Sequence, residues 1–185
     1  LKPKVSSDTS ASVNLKSIAK YFADDKSVDE KLAVIQLAIN KNMSVITDAF
    51  VEQLSCEKSP EVISALLIAV GKLGDDSKIK AIAPFLNSGN SRVRSNAIEA
   101  LEYIGSTKIY PYVILKIEDP DNRVRSNAAK ALKKLDSVTA LRILKAMLAS
   151  SNVAMQASAA YVMRFVIDEA NIELLAPLLK STHET

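Results

Sequence analysis

The chain has 185 residues and a formal net charge of +3, which does not by itself indicate a nucleic-acid-binding protein. Hydrophobic residues make up 48% of it, and it has only four glycines and six prolines, so global disorder and a loop-rich β protein are excluded. One cysteine, Cys56, and one histidine, His183, leave no internal disulfide and make catalysis by a buried histidine unexpected.

The chain divides into a tail and a series of repeated units. Residues 1–11 are polar and aperiodic, and we expect a flexible tail there. The rest follows a period of 31 residues that predicts helix pairs, each an A helix followed by a B helix. The predicted pairs occupy residues 12–43, 44–74, 75–105, 106–136 and 137–167, and a half repeat occupies 168–185. Because this last unit stops where a B helix is expected, we expect the chain to be a fragment of a longer protein.

The period is clearest in the hexapeptide RVRSNA, which occurs at residues 92–97 and again at 123–128. Apolar residues recur 4, 7, 8 and 11 positions after its valine, as on one face of an α-helix. Polar residues suited to N-caps precede the helices: Ser59, Asn90, Asp121 and Asn152 for the B helices, and Ser44, Asp75, Ser106, Ser137 and Asp168 for the A helices. Gly74 and Gly105 are expected at helix ends with positive φ.

The segment from Asp119 through Val124 and Arg125, followed by a B helix rich in small residues, resembles a HEAT repeat. It is most similar to the short bacterial HEAT-like repeats of phycobilisome lyases, and the resemblance covers residues 12–185. It implies an all-α, right-handed α-α superhelix of about five helix pairs plus a terminal half repeat, with the B helices on the concave face. The leading Asp is replaced by Glu57, Ser88 and Ser150 in neighbouring repeats, and the Arg by Ile63 and Gln156.

The two inner arginines, Arg94 and Arg125, flank the apolar stripe in the first turn of a B helix, where the helix dipole disfavours a cation. Each is expected to bridge to an acidic group or a carbonyl of its own or the next repeat, with Asp119 and Asp121 as candidate partners. The family resemblance implies the same structural ladder.

The candidate partner-binding residues face outward from the B helices. Arg92 and Arg123 lie nearly opposite the core, and either a solvated charge or an acidic ligand would account for them. The later B helices add a set of basic and aromatic residues: Lys130, Lys133, Lys134, Tyr161, Arg164 and Phe165. Phe165 could alternatively cover the core of the next repeat.

Three functions remain open at this point. The first is a non-enzymatic scaffold or adaptor that holds an acidic protein segment on the concave B-helix face. The second is nucleic-acid binding through the basic columns, which Glu99 and Glu102 interrupt. The third is a lyase-like or accessory subunit of an enzyme.

The sequence contains no catalytic triad, phosphate loop or metal-ligand cluster, and its only His-Glu pair is His183-Glu184. We therefore predict no enzymatic activity, no cofactor and no small-molecule substrate. No apolar run reaches the ~20 residues of a membrane span, so no membrane partner is expected. The single cysteine fits a reducing compartment, and we predict a cytoplasmic protein.

Overall fold

The computed structural model describes residues 18–166, and the side chains of residues 18–163. The α-helices in chain order are α1 (Val28–Asn40), α2 (Thr47–Leu54), α3 (Pro60–Leu73), α4 (Ile79–Ile82), α5 (Ser91–Ile104), α6 (Tyr110–Val113), α7 (Asn122–Leu135), α8 (Ser137–Leu148) and α9 (Val153–Val166). Short 3-10 helices lie at Lys20–Phe22, Ser44–Ile46, Asp76–Lys78, Ala83–Asn87, Thr107–Ile109 and Ile114–Lys116. Helices α1, α3, α5, α7 and α9 are the B helices, and the remaining elements form the A segments. This part of the chain contains no β-strand.

The B helices keep the period of the sequence, because α3, α5, α7 and α9 begin 31 residues apart. A polar side chain caps each of these four helices by accepting hydrogen bonds from amides of the first turn: Ser59, Asn90, Asp121 and Asn152. Helix α1 begins with the capping box that Ser27 and Glu30 form.

The predicted A-segment caps are only partly correct. Asp75 and Ser106 do cap, each accepting a hydrogen bond from the amide two residues later. The prediction was wrong at Ser137, because Asp136 is the residue that accepts from the Thr139 amide. It was also wrong at Ser44, which begins a 3-10 helix without a side-chain cap. Asp168 lies outside the described residues.

The A segments of the third and fourth repeats are not continuous α-helices. Each is a one-turn α-helix, α4 or α6, between two 3-10 helices. Prolines explain the break, since Pro84 and Pro111 lie inside these segments and supply no N–H for a bond four residues back. The A segment of the fifth repeat has no proline and forms the unbroken helix α8.

The apolar columns form one continuous core. The valine, alanine and leucine columns of the B helices are buried at Val93, Ala97 and Leu101, and again 31 residues later at Val124, Ala128 and Leu132. The A segments bury the column of Ile82, Val113 and Leu144 against them. Each repeat therefore completes its core with side chains of its neighbours, as expected for stacked units.

Two glycines are required by their surroundings. Gly105 ends α5 with a φ of 70°, which confirms the expected left-handed cap. Gly71 in α3 lies so close to α5 that a Cβ there would come within 2.5 Å of the Ala100 backbone. The expectation of positive φ at Gly74 was wrong, since its φ is −96°.

Successive B helices pack directly on one another, whereas successive A segments within residues 18–166 make only sparse contacts. Closer packing in one layer favours curvature toward that layer, so the expectation that the B helices lie on the concave side stays a prediction. The fold is an all-α solenoid of stacked helix pairs, as the sequence predicts. The tail 1–11 and the half repeat 168–185 lie outside the described residues, and none of the helices within 18–166 has the length and apolar character to cross a bilayer.

Candidate functional site

Arg94 joins the third repeat to the fourth through a two-point ion pair. Its Nε and one terminal nitrogen donate to the two carboxylate oxygens of Asp119 at 2.9 and 2.8 Å. Its other terminal nitrogen donates to the carbonyls of Ser88 and Gly89. Burial alone would raise the pKa of Asp119, but the bonds from Arg94 and from the Asp121 amide outweigh burial, and the pKa lies below its ordinary value.

Arg125 occupies the same position one repeat later, but the structure surrounds it with neutral groups. The side chain is only 4% exposed. It donates to the carbonyls of Asp119, Pro120 and Ala154 and to the Ser158 hydroxyl. Within the described residues it forms no ion pair, because Ser150 stands where the next repeat would supply the acid. A buried guanidinium without a carboxylate leaves positive charge at this junction.

The sequence analysis did not identify a second ion pair of the same kind. Lys31 of α1 bonds Glu57 at 3.1 Å, and both side chains are largely buried. Glu57 also accepts from the amides of Lys58 and Ser59, as Asp119 accepts from that of Asp121. The signal was present: Glu57 stands in the column of Asp119, and the one-residue shift of the first repeat brings Lys31 into the column of Arg94.

Asp121 was a candidate ladder partner, but its side chain accepts from the amides of Arg123 and Val124 and forms no ion pair within the described residues. It is therefore a helix cap. The Arg94 guanidinium contacts Asp119 instead.

The positive charge of the predicted basic residues on α7 is partly neutralised by a glutamate of the preceding B helix. Lys130 and Lys134 form ion pairs with Glu102 at 3.1 and 2.5 Å, and the Glu102 side chain is only 7% exposed. The sequence placed Glu102 outward as an interruption of the basic columns, but its carboxylate is buried and both lysine ammonium groups reach it. Lys133 is half-buried beside them.

The remaining predicted residues differ in their surroundings. Arg92 is exposed and pairs with Glu61 of the preceding repeat at 3.3 Å. Arg123 is exposed, and its guanidinium forms neither a hydrogen bond nor an ion pair with any described residue. Tyr161 is 47% exposed on α9. The side chains of Arg164 and Phe165 lie outside the described residues.

A groove of about 600 Å³ brings several of these residues together across α5, α7 and α9. We call it the C-terminal groove, and its residues include Glu99, Arg123, Asn127, Lys130, Ser158 and Tyr161. Asn127 is fixed in its wall, because its amide donates to the Ser95 hydroxyl at 2.9 Å and to the Ser95 carbonyl. Arg125 lies under the same groove through its bond to Ser158.

A second groove, of about 520 Å³, crosses α1, α3 and α5. We call it the N-terminal groove. Half of its lining residues are apolar, including Leu32, Ile39 and Ile68, and its charged residues are Asp29, Glu61 and Arg92. Each groove is lined by three successive B helices. In the described part of the chain no group of three or more His, Cys, Asp and Glu side chains is placed to hold a metal ion.

Comparisons with known proteins address the fold. Residues 79–164 match the family model of HEAT repeats. A crystal structure of an engineered protein is 19% identical, covers 91% of this chain and 90% of its own length, and superposes with a TM-score of 0.51. The complex of CpcE and CpcF of phycocyanin lyase from Nostoc sp. PCC7120 is 17% identical, with 95% of this chain and 85% of that chain covered and a TM-score of 0.47. No curated protein matches the sequence.

The matched segment runs from the A segment of the third repeat to the B helix of the fifth, and includes the Arg94–Asp119 pair and the whole C-terminal groove. Its helix pairs, caps and inter-repeat contacts recur with the period read from the sequence. Residues 79–164 are therefore HEAT repeats, set in an all-α HEAT-like solenoid.

Proposed function

We propose that the chain is a non-enzymatic interaction module that binds an acidic segment of a partner protein on the concave B-helix face, in the C-terminal groove. HEAT repeats form a scaffold, and the choice of this face and this partner is our inference. The observation that carries it is the exposed guanidinium of Arg123 at the rim of that groove, which pairs with none of the described residues.

The local charges support an acidic ligand. Arg123 and Arg125 have no carboxylate partner within the described residues, whereas Lys130 and Lys134 share the single carboxylate of Glu102. Glu99, the one acidic residue lining the groove, accepts a hydrogen bond from Tyr103 at 3.2 Å. A carboxylate side chain entering here would therefore meet uncompensated positive charge in a partly desolvated site, where such pairs are stronger than in water.

The polar residues that line the groove also suit a polypeptide ligand. Asn127, Ser158 and Tyr161 line it alongside the charged groups, so polar contacts to a main chain accompany the ionic contact. An exposed tyrosine beside an arginine is a frequent composition of binding hot spots.

The test is a fluorescence-anisotropy titration of the 185-residue chain with a labelled ten-residue peptide rich in Glu and Asp. We expect binding that weakens as salt is raised. Arg123→Glu should weaken it about tenfold, because the substitution removes one charge pair and places a like charge beside the ligand, and close interfacial charge pairs can contribute about 1.5 kcal/mol. The matched control is Lys145→Glu, which makes the same charge change at an exposed position of α8 in the A layer.

Two outcomes would reject the proposal. Equal weakening by Arg123→Glu and Lys145→Glu would attribute binding to net charge alone. Tighter, salt-sensitive binding of a 20-nucleotide DNA or RNA than of the peptide would favour the nucleic-acid alternative. Glu99 and the buried Glu102 oppose that alternative, since a phosphate backbone crossing α5 would pass both carboxylates.

A further inference from the structure

We infer that the partner segment is bipartite, with an apolar residue in the N-terminal groove and an acidic residue in the C-terminal groove, about six residues apart along an extended chain. This inference rests on the proposed function and specifies its ligand. It follows from polar groups left unused in the N-terminal groove, from the charge of each groove, and from the distance between them.

The unused groups are visible by comparison of two successive repeats. Asn127 bonds Ser95 and so ties α7 to α5. Asn96 and Ser64 stand 31 residues earlier in the same two columns, yet no such bond joins them. The Ser64 hydroxyl is buried and has no hydrogen-bond partner among the described residues. The Asn96 carboxamide likewise forms no hydrogen bond with any described residue. Both residues line the N-terminal groove.

A buried hydroxyl and a half-buried carboxamide without partners are costly unless a ligand or water satisfies them. A carboxamide can donate to a main-chain carbonyl and accept from a main-chain amide at once. An extended peptide supplies both groups at each residue, so Asn96 is placed to hold a peptide main chain between the two grooves.

The side-chain preference of the N-terminal groove is apolar. Ile68 is half-buried, and Leu32 and Ile39 lie beside it on the facing helix α1. Arg92 is compensated by Glu61, and Asp29 adds a further negative charge, so an acidic residue is disfavoured here. The two grooves thus select opposite kinds of side chain from one segment.

The spacing follows from the repeat. Ile68 and Lys130 occupy the same column two repeats apart, so the path between the grooves runs straight across α3, α5 and α7. Two helix-to-helix steps span about 16–20 Å, which five or six extended residues at about 3.3 Å each cover.

The test compares labelled peptides with the full 185-residue chain. Each peptide carries a Leu-Leu pair and a Glu-Glu pair separated by 1, 5 or 12 Gly-Ser residues, synthesised in both chain directions, and a further peptide lacks the leucines. We expect the five-residue spacing, in one direction, to bind about tenfold tighter than the leucine-free peptide, since burial of one apolar side chain accounts for such a factor.

Two variants test whether the leucines of the peptide bind in the N-terminal groove. Ile68→Lys and Asn96→Ala should each remove the advantage of the leucines while leaving the leucine-free peptide unaffected. Lysine is tolerated at this column because Lys130 occupies it two repeats later. The matched control is Val138→Lys, at a 77% exposed position of α8, which should leave the affinity for every peptide unchanged.

The outcomes separate the two proposals. If the leucine-free peptide binds as tightly as every spaced peptide, or Ile68→Lys has no effect, the bipartite ligand is wrong and the acidic-segment function stands. If no acidic peptide binds with dependence on Arg123, both are overturned. If tight binding occurs equally at spacings of 1 and 12, the two grooves do not act on one extended segment.

Discussion

Removal of the Asp119 carboxylate should destabilise the solenoid far more than removal of an exposed acid in an inter-repeat pair. Asp119 and Arg94 side chains are 5% and 12% exposed and form two parallel bonds. Breaking a buried pair from one side typically costs 3–5 kcal/mol, and Arg94 keeps its carbonyl bonds, so we expect Asp119→Ala to cost about 3 kcal/mol. The comparison is Glu61→Ala, which removes the partner of Arg92.

The assay is urea unfolding followed by circular dichroism. The Arg92 and Glu61 side chains are 56% and 55% exposed, and an exposed pair contributes about 0–1 kcal/mol. With an m-value of about 2 kcal/mol/M, Asp119→Ala should lower the midpoint by about 1.5 M and Glu61→Ala by less than about 0.5 M. Arg94→Ala alone and with Asp119→Ala completes a double-mutant cycle. Equal urea midpoints for Asp119→Ala and Glu61→Ala would refute the conclusion that the buried pair stabilises the contact between repeats more than the exposed pair does.

Three further predictions concern charge. The pKa values of Asp119 and Glu57 are lowered because hydrogen bonds outweigh burial, so both carboxylates add stability that is present above the unfolded pKa of about 4 and is lost as the pH falls through the folded values. The Tm should therefore fall between about pH 5 and pH 3, and by less in the Asp119→Asn/Glu57→Gln variant. Ser150→Asp should raise stability by about 1 kcal/mol or more in urea unfolding by supplying Arg125 with a carboxylate, and an equal gain from Ser150→Asn would contradict that reason. Glu102→Gln should tighten acidic-peptide binding by about threefold in the anisotropy titration, because it frees two lysines, and unchanged affinity would place those lysines outside the binding surface.

The repeat and its core were predictable because they depend on local spacing. The column of Val62, Val93 and Val124 is buried in three successive units, and the caps at Asn90 and Asp121 act within one turn of their own helix. The candidate pairing of Arg94 with Asp119 could be named for the same reason, since the relation between neighbouring repeats is fixed by the period.

The environment of the outward residues was not predictable from that period. Glu102 is buried and pairs with the ammonium groups of Lys130 and Lys134, and a periodic pattern does not specify such side-chain conformations. Arg125 adopts neutral partners because one residue, Ser150, departs from the column of Asp119. That Arg123 and its groove bind a partner remains a prediction for the titrations.

The junctions between repeats carry ion pairs of two kinds. The pairs Lys31–Glu57 and Arg94–Asp119, at the first and third junctions, are largely buried, whereas the Arg92–Glu61 pair at the second is exposed and lies between helices whose backbones meet at Gly71 and Ala100. Salt screens exposed charges strongly and buried pairs much less. In a concentrated electrolyte we therefore expect the buried pairs to keep most of their stabilising effect, while the second junction depends on the packing of α3 against α5.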